Sequence, residues 1–134
     1  MNTCETYVKP ASEDEETKKF IILYEQNIAN FNKETEDSDN INFDLLPPNF
    51  RDMDIFVDKN GTKIWVLTTD ITPPVDHLYR LSEEYHVALE GEFHNGNDNI
   101  HGRFVFTPGA EPFEIWQTYN EETGQLEPLG KGTI

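Results

Sequence analysis

The sequence predicts an α+β domain: an antiparallel sheet with two helices packed on one of its faces. Three observations predict it. Two segments carry apolar residues at helical spacing. Several others carry them at alternate positions, and short turns join those segments as antiparallel neighbours. Nine Phe, five Tyr and two Trp supply a core for a single domain over residues 1–134.

The elements follow in order. Thr6-Tyr7-Val8-Lys9 is β-prone, and Pro10 ends it. Ser12 and Glu15 have the spacing of a capping box, with Ser12 as N-cap. A helix over about 13–31 is expected, with Phe20, Leu23, Tyr24, Ile28 and Phe31 as its apolar stripe. Residues 32–52 break the pattern and read as a long, acidic, partly mobile loop pinned by Phe43, Leu45 and Leu46. Met53 to Val57 and Lys63 to Ile71 read as a hairpin around Asn60-Gly61. Thr72 is the expected N-cap of a second helix, with Pro73 at its first position and Val75, Leu78, Leu81 and Tyr85 inward. Val87 to Phe93, Ile100 to Phe106 and Phe113 to Tyr119 are three further strands, and residues 120–134 read as a loosely held tail. The order β-α-β-β-α-β with extra C-terminal strands is the ferredoxin-like arrangement. The term names a shape only, because the single cysteine, Cys4, cannot hold an iron–sulfur cluster or form an intrachain disulfide.

Charge carries the functional expectation. The chain has 26 acidic against 10 basic side chains, a formal net of -16. Residues 1–58 hold 14 acids and 5 bases, and residues 59–134 hold 12 and 5. Such a surface repels nucleic acid and anionic membranes and attracts basic protein surfaces. No apolar run reaches membrane-span length, and the N-terminus lacks the pattern of a signal peptide. A cytoplasmic location in a bacterial host cell is the expectation.

The candidate contact acids form three groups. Glu13, Asp14, Glu15 and Glu16 open the first helix, where they also complement its dipole. Glu34, Glu36, Asp37 and Asp39 lie in the predicted loop. Asp52, Asp54 and Asp58 are spaced to share one face of the first hairpin. Acids spaced along a strand imitate DNA phosphates to a basic groove. Trp116, on the opposite side of its strand from Phe113, Ile115 and Gln117, is expected to be an exposed protein-binding anchor.

No catalytic motif accompanies these acids. Glycine-rich phosphate loops, HExxH and Ser-centred elbows are missing, and Glu90 and Glu92 are a carboxylate pair without a nucleophile. His94, His101 and Asp98 flank one turn but make a poor metal set. His77 reads as a surface residue of the second helix. No enzyme activity, cofactor or metal is expected.

Several short motifs carry a family resemblance. Met1-Asn2-x-Cys4, Gly61-Thr62-Lys63-x-Trp65, Thr72-Pro73-Pro74 and the hairpin with Asp98 and Gly102 make the chain similar to the YubB-like ferredoxin-fold domains of plasmids and phages. It departs from that family at Asn60, where a tryptophan is usual, and at Ile64, inserted before Trp65. The resemblance implies a mobile-element setting and no catalytic residues.

The expected function is therefore a non-enzymatic acidic inhibitor, a DNA mimic of the anti-CRISPR or anti-restriction type. It would bind a basic nucleic-acid-binding surface of a nuclease, a CRISPR effector or another DNA-processing protein. It would bind no nucleic acid directly and be a monomer or weak dimer. The alternatives are an immunity protein neutralising a cationic nuclease toxin, and a small-ligand domain or enzyme.

Overall fold

The computed structural model describes residues 2–32 and 41–129. The strands are β1 (Thr3–Pro10), β2 (Phe50–Val57), β3 (Lys63–Asp70), β4 (Leu89–Asn95), β5 (Ile100–Phe106), β6 (Phe113–Asn120) and β7 (Gln125–Pro128). The helices are α1 (Glu15–Asn32) and α2 (Val75–Tyr85), and Phe43–Leu45 forms one turn of 3-10 helix. All seven strands join one antiparallel sheet in the order β2-β3-β1-β4-β5-β6-β7.

Strand alternation divides the sheet into a covered and an open side. Cys4, Thr6 and Val8 of β1 sit opposite Thr69, Leu67 and Trp65 of β3, and all six are buried. Leu89, Phe93, Phe104 and Phe106 extend this layer across β4 and β5. Both helices pack on it. From α1, Tyr24 stacks on Trp65 at 4.8 Å between ring centroids, and Phe20 meets Trp65 at 6.1 Å. From α2, Tyr79 meets Phe106 at 5.3 Å, and the Ser82 hydroxyl donates to the Val87 carbonyl. Glu25 of α1 fastens helix to sheet, accepting from Trp65 Nε1 at 2.8 Å and Lys63 Nζ at 3.1 Å. Leu23, expected in the apolar stripe, is instead 44% exposed.

Glycine shapes the core between β4 and β6. Gly102 lies opposite Phe93 on one side and Trp116 on the other. A Cβ there would come within 2.2 Å of the Phe93 ring, so the missing side chain lets Phe93 and Trp116 meet at 4.8 Å.

Both helix starts differ from expectation. The N-cap of α1 is Asp14, not Ser12. Asp14 Oδ1 accepts from the Thr17 N–H at 2.8 Å, its carbonyl accepts from Lys18, and the Ser12 hydroxyl braces the carboxylate at 2.7 Å. Helix α2 begins at Val75 rather than just after Thr72. Thr72 and Pro73 each precede a proline, which disfavours helical backbone. Pro74 is therefore the N-cap and makes no side-chain cap bond.

Two further expectations change. The predicted loop ends earlier, because β2 starts at Phe50. The polar tail contributes a seventh strand, Gln125–Pro128, paired on β6 with Leu126 opposite Tyr119. Its backbone completes the hydrogen bonds of an edge that β6 would otherwise leave open.

Asn95, fully buried, ties three segments together. Its amide donates to Asn2 Oδ1 and to the Ile71 carbonyl, both at 2.6 Å, and its Oδ1 accepts from the N–H groups of Asn97 and Asp98. Asn2 in turn donates to Asp98 at 3.0 Å. Asn2 and Asp98 thus act in the fold, closing the N-terminus onto the β4–β5 turn.

Candidate functional site

The helices cover one side of the sheet. The other side is built by the intervening residues of each strand, and the register gives its rows. One row runs Asp52, Thr68, Glu5, His94, His101, Gln117 across β2, β3, β1, β4, β5 and β6. The next runs Asp54, Val66, Tyr7, Glu92, Arg103, Ile115. Glu90 and Lys9 sit opposite each other beyond it. Neighbouring strands lie about 4.8 Å apart and i,i+2 residues roughly 7 Å apart. Asp52 and Asp54 are therefore spaced like two axial steps of a DNA strand, at about 3.4 Å each.

Six of the described acids share this open side: Glu5, Asp52, Asp54, Asp70, Glu90 and Glu92. Lys9 and Arg51 neutralise part of this charge from within the sheet, and His94 contacts a further acid. Lys9 lies 3.7 Å from Glu90, His94 Nε2 lies 3.4 Å from Glu5, and Arg51 pairs with Asp70. These pairs are all well exposed, so each contributes little to stability. Tyr7 stacks on His94 at 6.0 Å and is 38% exposed. The β5–β6–β7 end is more apolar, with Val105, Phe113, Tyr119 and Leu126 exposed. An antiparallel sheet with one solvated face normally alternates cleanly between apolar-in and polar-out. Here aromatic and aliphatic side chains interrupt the polar side.

The acids singled out from sequence divide between this face and other places. Asp52 and Asp54 are exposed on it. Asp58 is not: it closes the β2–β3 turn, its Oδ1 accepting from the N–H groups of Asn60 and Thr62, both at 2.9 Å. The expected common face for all three fails because the strand ends at Val57. Glu13, Asp14 and Glu16 are exposed at the start of α1, on the helical side of the molecule. Asp14 serves the helix cap. The Ser12 hydroxyl, then the Thr17 backbone N–H, hold its carboxyl below the usual carboxylate range. Glu34, Glu36, Asp37 and Asp39 lie outside the described residues.

Trp116 is not an exposed anchor. It is 8% exposed, packed on Phe93, with its Nε1 donating to Glu114 at 2.7 Å. Alternation correctly separates it from Phe113 and Ile115, but its side is the one the helices cover. His77 is likewise not a surface residue. It is 8% exposed, and burial, reinforced by the Arg80 charge, pushes its pKa down to about 4. Among the described residues its Nε2 has no hydrogen-bond partner. Cys4 is a core thiol, pushed up to about 12 by burial, and therefore a poor nucleophile.

Glu5, Tyr7 and Asp70 were missed as surface candidates. The signal was available in the i,i+2 alternation of Thr3-Glu5-Tyr7-Lys9 against Cys4-Thr6-Val8. His94 and His101 are direct cross-strand neighbours, as their positions flanking the turn suggest. Among the described residues no group of three His, Cys, Asp or Glu side chains is placed to hold a metal ion. No described helix is long and apolar enough to cross a membrane.

Compared with known proteins, the chain matches no family model, no curated protein and no solved structure.

Proposed function

We propose that this protein is a non-enzymatic acidic inhibitor that occupies a basic, nucleic-acid-binding surface on a nuclease, CRISPR effector or other DNA-processing protein. The observation that carries the reading is the open side of the sheet. Six carboxylates stand there in register with Tyr7, on a chain of net charge -16. A basic groove is neutralised by whichever anion reaches it, so carboxylates at strand spacing compete with phosphates. Tyr7, Val105 and Phe113 add the desolvated contacts that hold such a complex once charge has steered it together.

A ferredoxin-like topology and a YubB-like kinship belong to the same proposal. The order β2-β3-β1-β4, with α1 and α2 as the connections, supports the first. The second rests on the motifs quoted above and brings the mobile-element, cytoplasmic setting with it. The extra strands β5, β6 and β7 enlarge the sheet beyond the four-stranded pattern and widen its open side.

Affinity capture from a bacterial lysate at low and then high salt tests the reading. The expected result is one basic nucleic-acid-binding protein, retained at low salt and released as salt rises. A capture that persists unchanged in high salt, or a column that retains nothing at either, would overturn it. An adjacent nuclease-toxin gene would assign the same chemistry to an immunity protein instead.

A further inference from the structure

Among the described residues, strand β2 is at the edge of the sheet, with β3 on one side and no strand on the other. The register identifies its unpaired backbone groups. The Asp58 N–H donates to the Thr62 carbonyl at 2.9 Å, so this pair carries ladder bonds. In an antiparallel ladder such pairs alternate with pairs that carry none. Val57 faces Lys63 and Phe56 faces Ile64. Asp52, Asp54 and Phe56 therefore turn their N–H and C=O groups toward β3, while Met53, Ile55 and Val57 turn theirs outward. The Met53 N–H agrees with this assignment: it is taken up by its neighbour's carboxylate, Asp52 Oδ1, at 2.8 Å. Ile55 and Val57 are left as two residues whose outward N–H and C=O groups face no strand among the described residues.

Edges of this kind are usually blunted by lysine, proline or a covering element. Between Asp52 and Val57 there is no lysine and no proline. Ile55, Phe56 and Val57 are 45%, 55% and 65% exposed, an apolar run at the end of β2 away from the irregularity between Phe50 and Asp52. The opposite edge is different: β7 has four residues and ends on Pro128. Charge narrows the occupant. Asp52 and Asp54 stand beside the open backbone, and a second copy would bring the same carboxylates together with its own net charge of -16. A strand with basic residues meets the opposite situation.

We propose that β2 captures an extended, basic segment of its partner by strand addition, pairing with the outward groups of Ile55 and Val57. A basic side chain would lie opposite Asp54 and an apolar one opposite Phe56. Directly opposite residues come within about 5 Å, close enough for both contacts. The proposal rests on the reading of the partner as a basic protein and names how that protein is gripped.

The test uses the full chain and two synthetic peptides. One is a capped peptide repeating Lys-Lys-Val-Val, in which residues two apart, on one face of a strand, are one basic and one apolar. The other has the same sequence with every backbone amide N-methylated, which keeps the charge and removes the ladder donors of both edges. Binding is measured by titration and by amide hydrogen exchange. The expected result is binding of the first peptide, a loss of about tenfold or more with the second, and new protection at Ile55 and Val57. Val57→Pro removes one outward donor without touching the β3 ladder, and Asp54→Asn removes the charge; each is expected to weaken the first peptide. Equal binding of both peptides would overturn strand addition while leaving charge-driven inhibition standing. Absence of binding, or protection elsewhere in the sheet, would overturn strand addition too. The salt-graded capture judges the inhibitor reading separately.

Discussion

Replacing His77 with leucine removes one buried titration from an otherwise acidic protein, and its consequence can be worked out. In the folded chain burial holds the imidazole near pKa 4, against 6.5 for the ordinary group. The unfolded state therefore binds a proton at mildly acidic pH that the folded state refuses. The sign follows: His77 costs nothing above about pH 6.5, and stability falls as pH drops below that value, levelling off beneath the folded pKa. At ~1.4 kcal/mol per pH unit the whole effect is about 3 kcal/mol, of which about 2 kcal/mol is lost already at pH 5. That pH is still above the sequence isoelectric point of 4.4. The assay is urea unfolding of both proteins from about pH 7.5 to about pH 5, followed by Trp fluorescence. Carboxylate repulsion also changes over this range, but it changes alike in both proteins and cancels in the difference. The expected result is a wild-type curve that falls relative to His77→Leu by about 2 kcal/mol. A difference that stays flat with pH would refute the reasoning, because a buried imidazole without a partner on Nε2 cannot be protonated freely.

Three other outcomes are expected. The buried thiol of Cys4, raised to about 12, will resist maleimide in the native protein and react promptly in guanidinium; rapid native labelling would contradict its placement. Gly91→Ala puts a Cβ 1.7 Å from the Tyr7 carbonyl oxygen, and should destabilise by about 3 kcal/mol or prevent folding, where a near-native urea midpoint would contradict the β1–β4 register. Ile71 has φ of 65°, a left-handed conformation costly for a β-branched residue, so Ile71→Asn should gain about 1 kcal/mol and raise Tm by about 4 °C; a lower Tm would count against that strain.

How much of this was legible beforehand depends on how local each feature is. The β4–β5 hairpin was legible because Leu89, Phe93, Phe104 and Phe106 alternate with polar neighbours around a turn of Asn and Gly. The helix α1 was legible for the same reason at another period. Strand β7 was not, because Gln-Leu-Glu-Pro has one apolar residue and no pattern; the free edge of β6 recruits it. Trp116 and His77 were misplaced because alternation and helical phase say which residues share a side, not which side is covered. That depends on Gly102 admitting the Phe93 ring, and on the loop carrying Leu45 and Pro47 folding in beside α2. Of the candidate acids, Asp52 and Asp54 reached the open face. Asp14 and Asp58 were drawn into caps and turns, the usual local use of a short acidic side chain.

The most direct test of the central claim is a displacement titration. A labelled DNA duplex is bound to the captured basic partner, and the protein is added at low and at physiological salt. The account predicts that DNA is released, that the protein's own affinity for the partner falls as salt rises, and that Asp52→Asn with Asp54→Asn weakens displacement. A complex that keeps its DNA, or an affinity indifferent to salt and to these two carboxylates, would contradict the account.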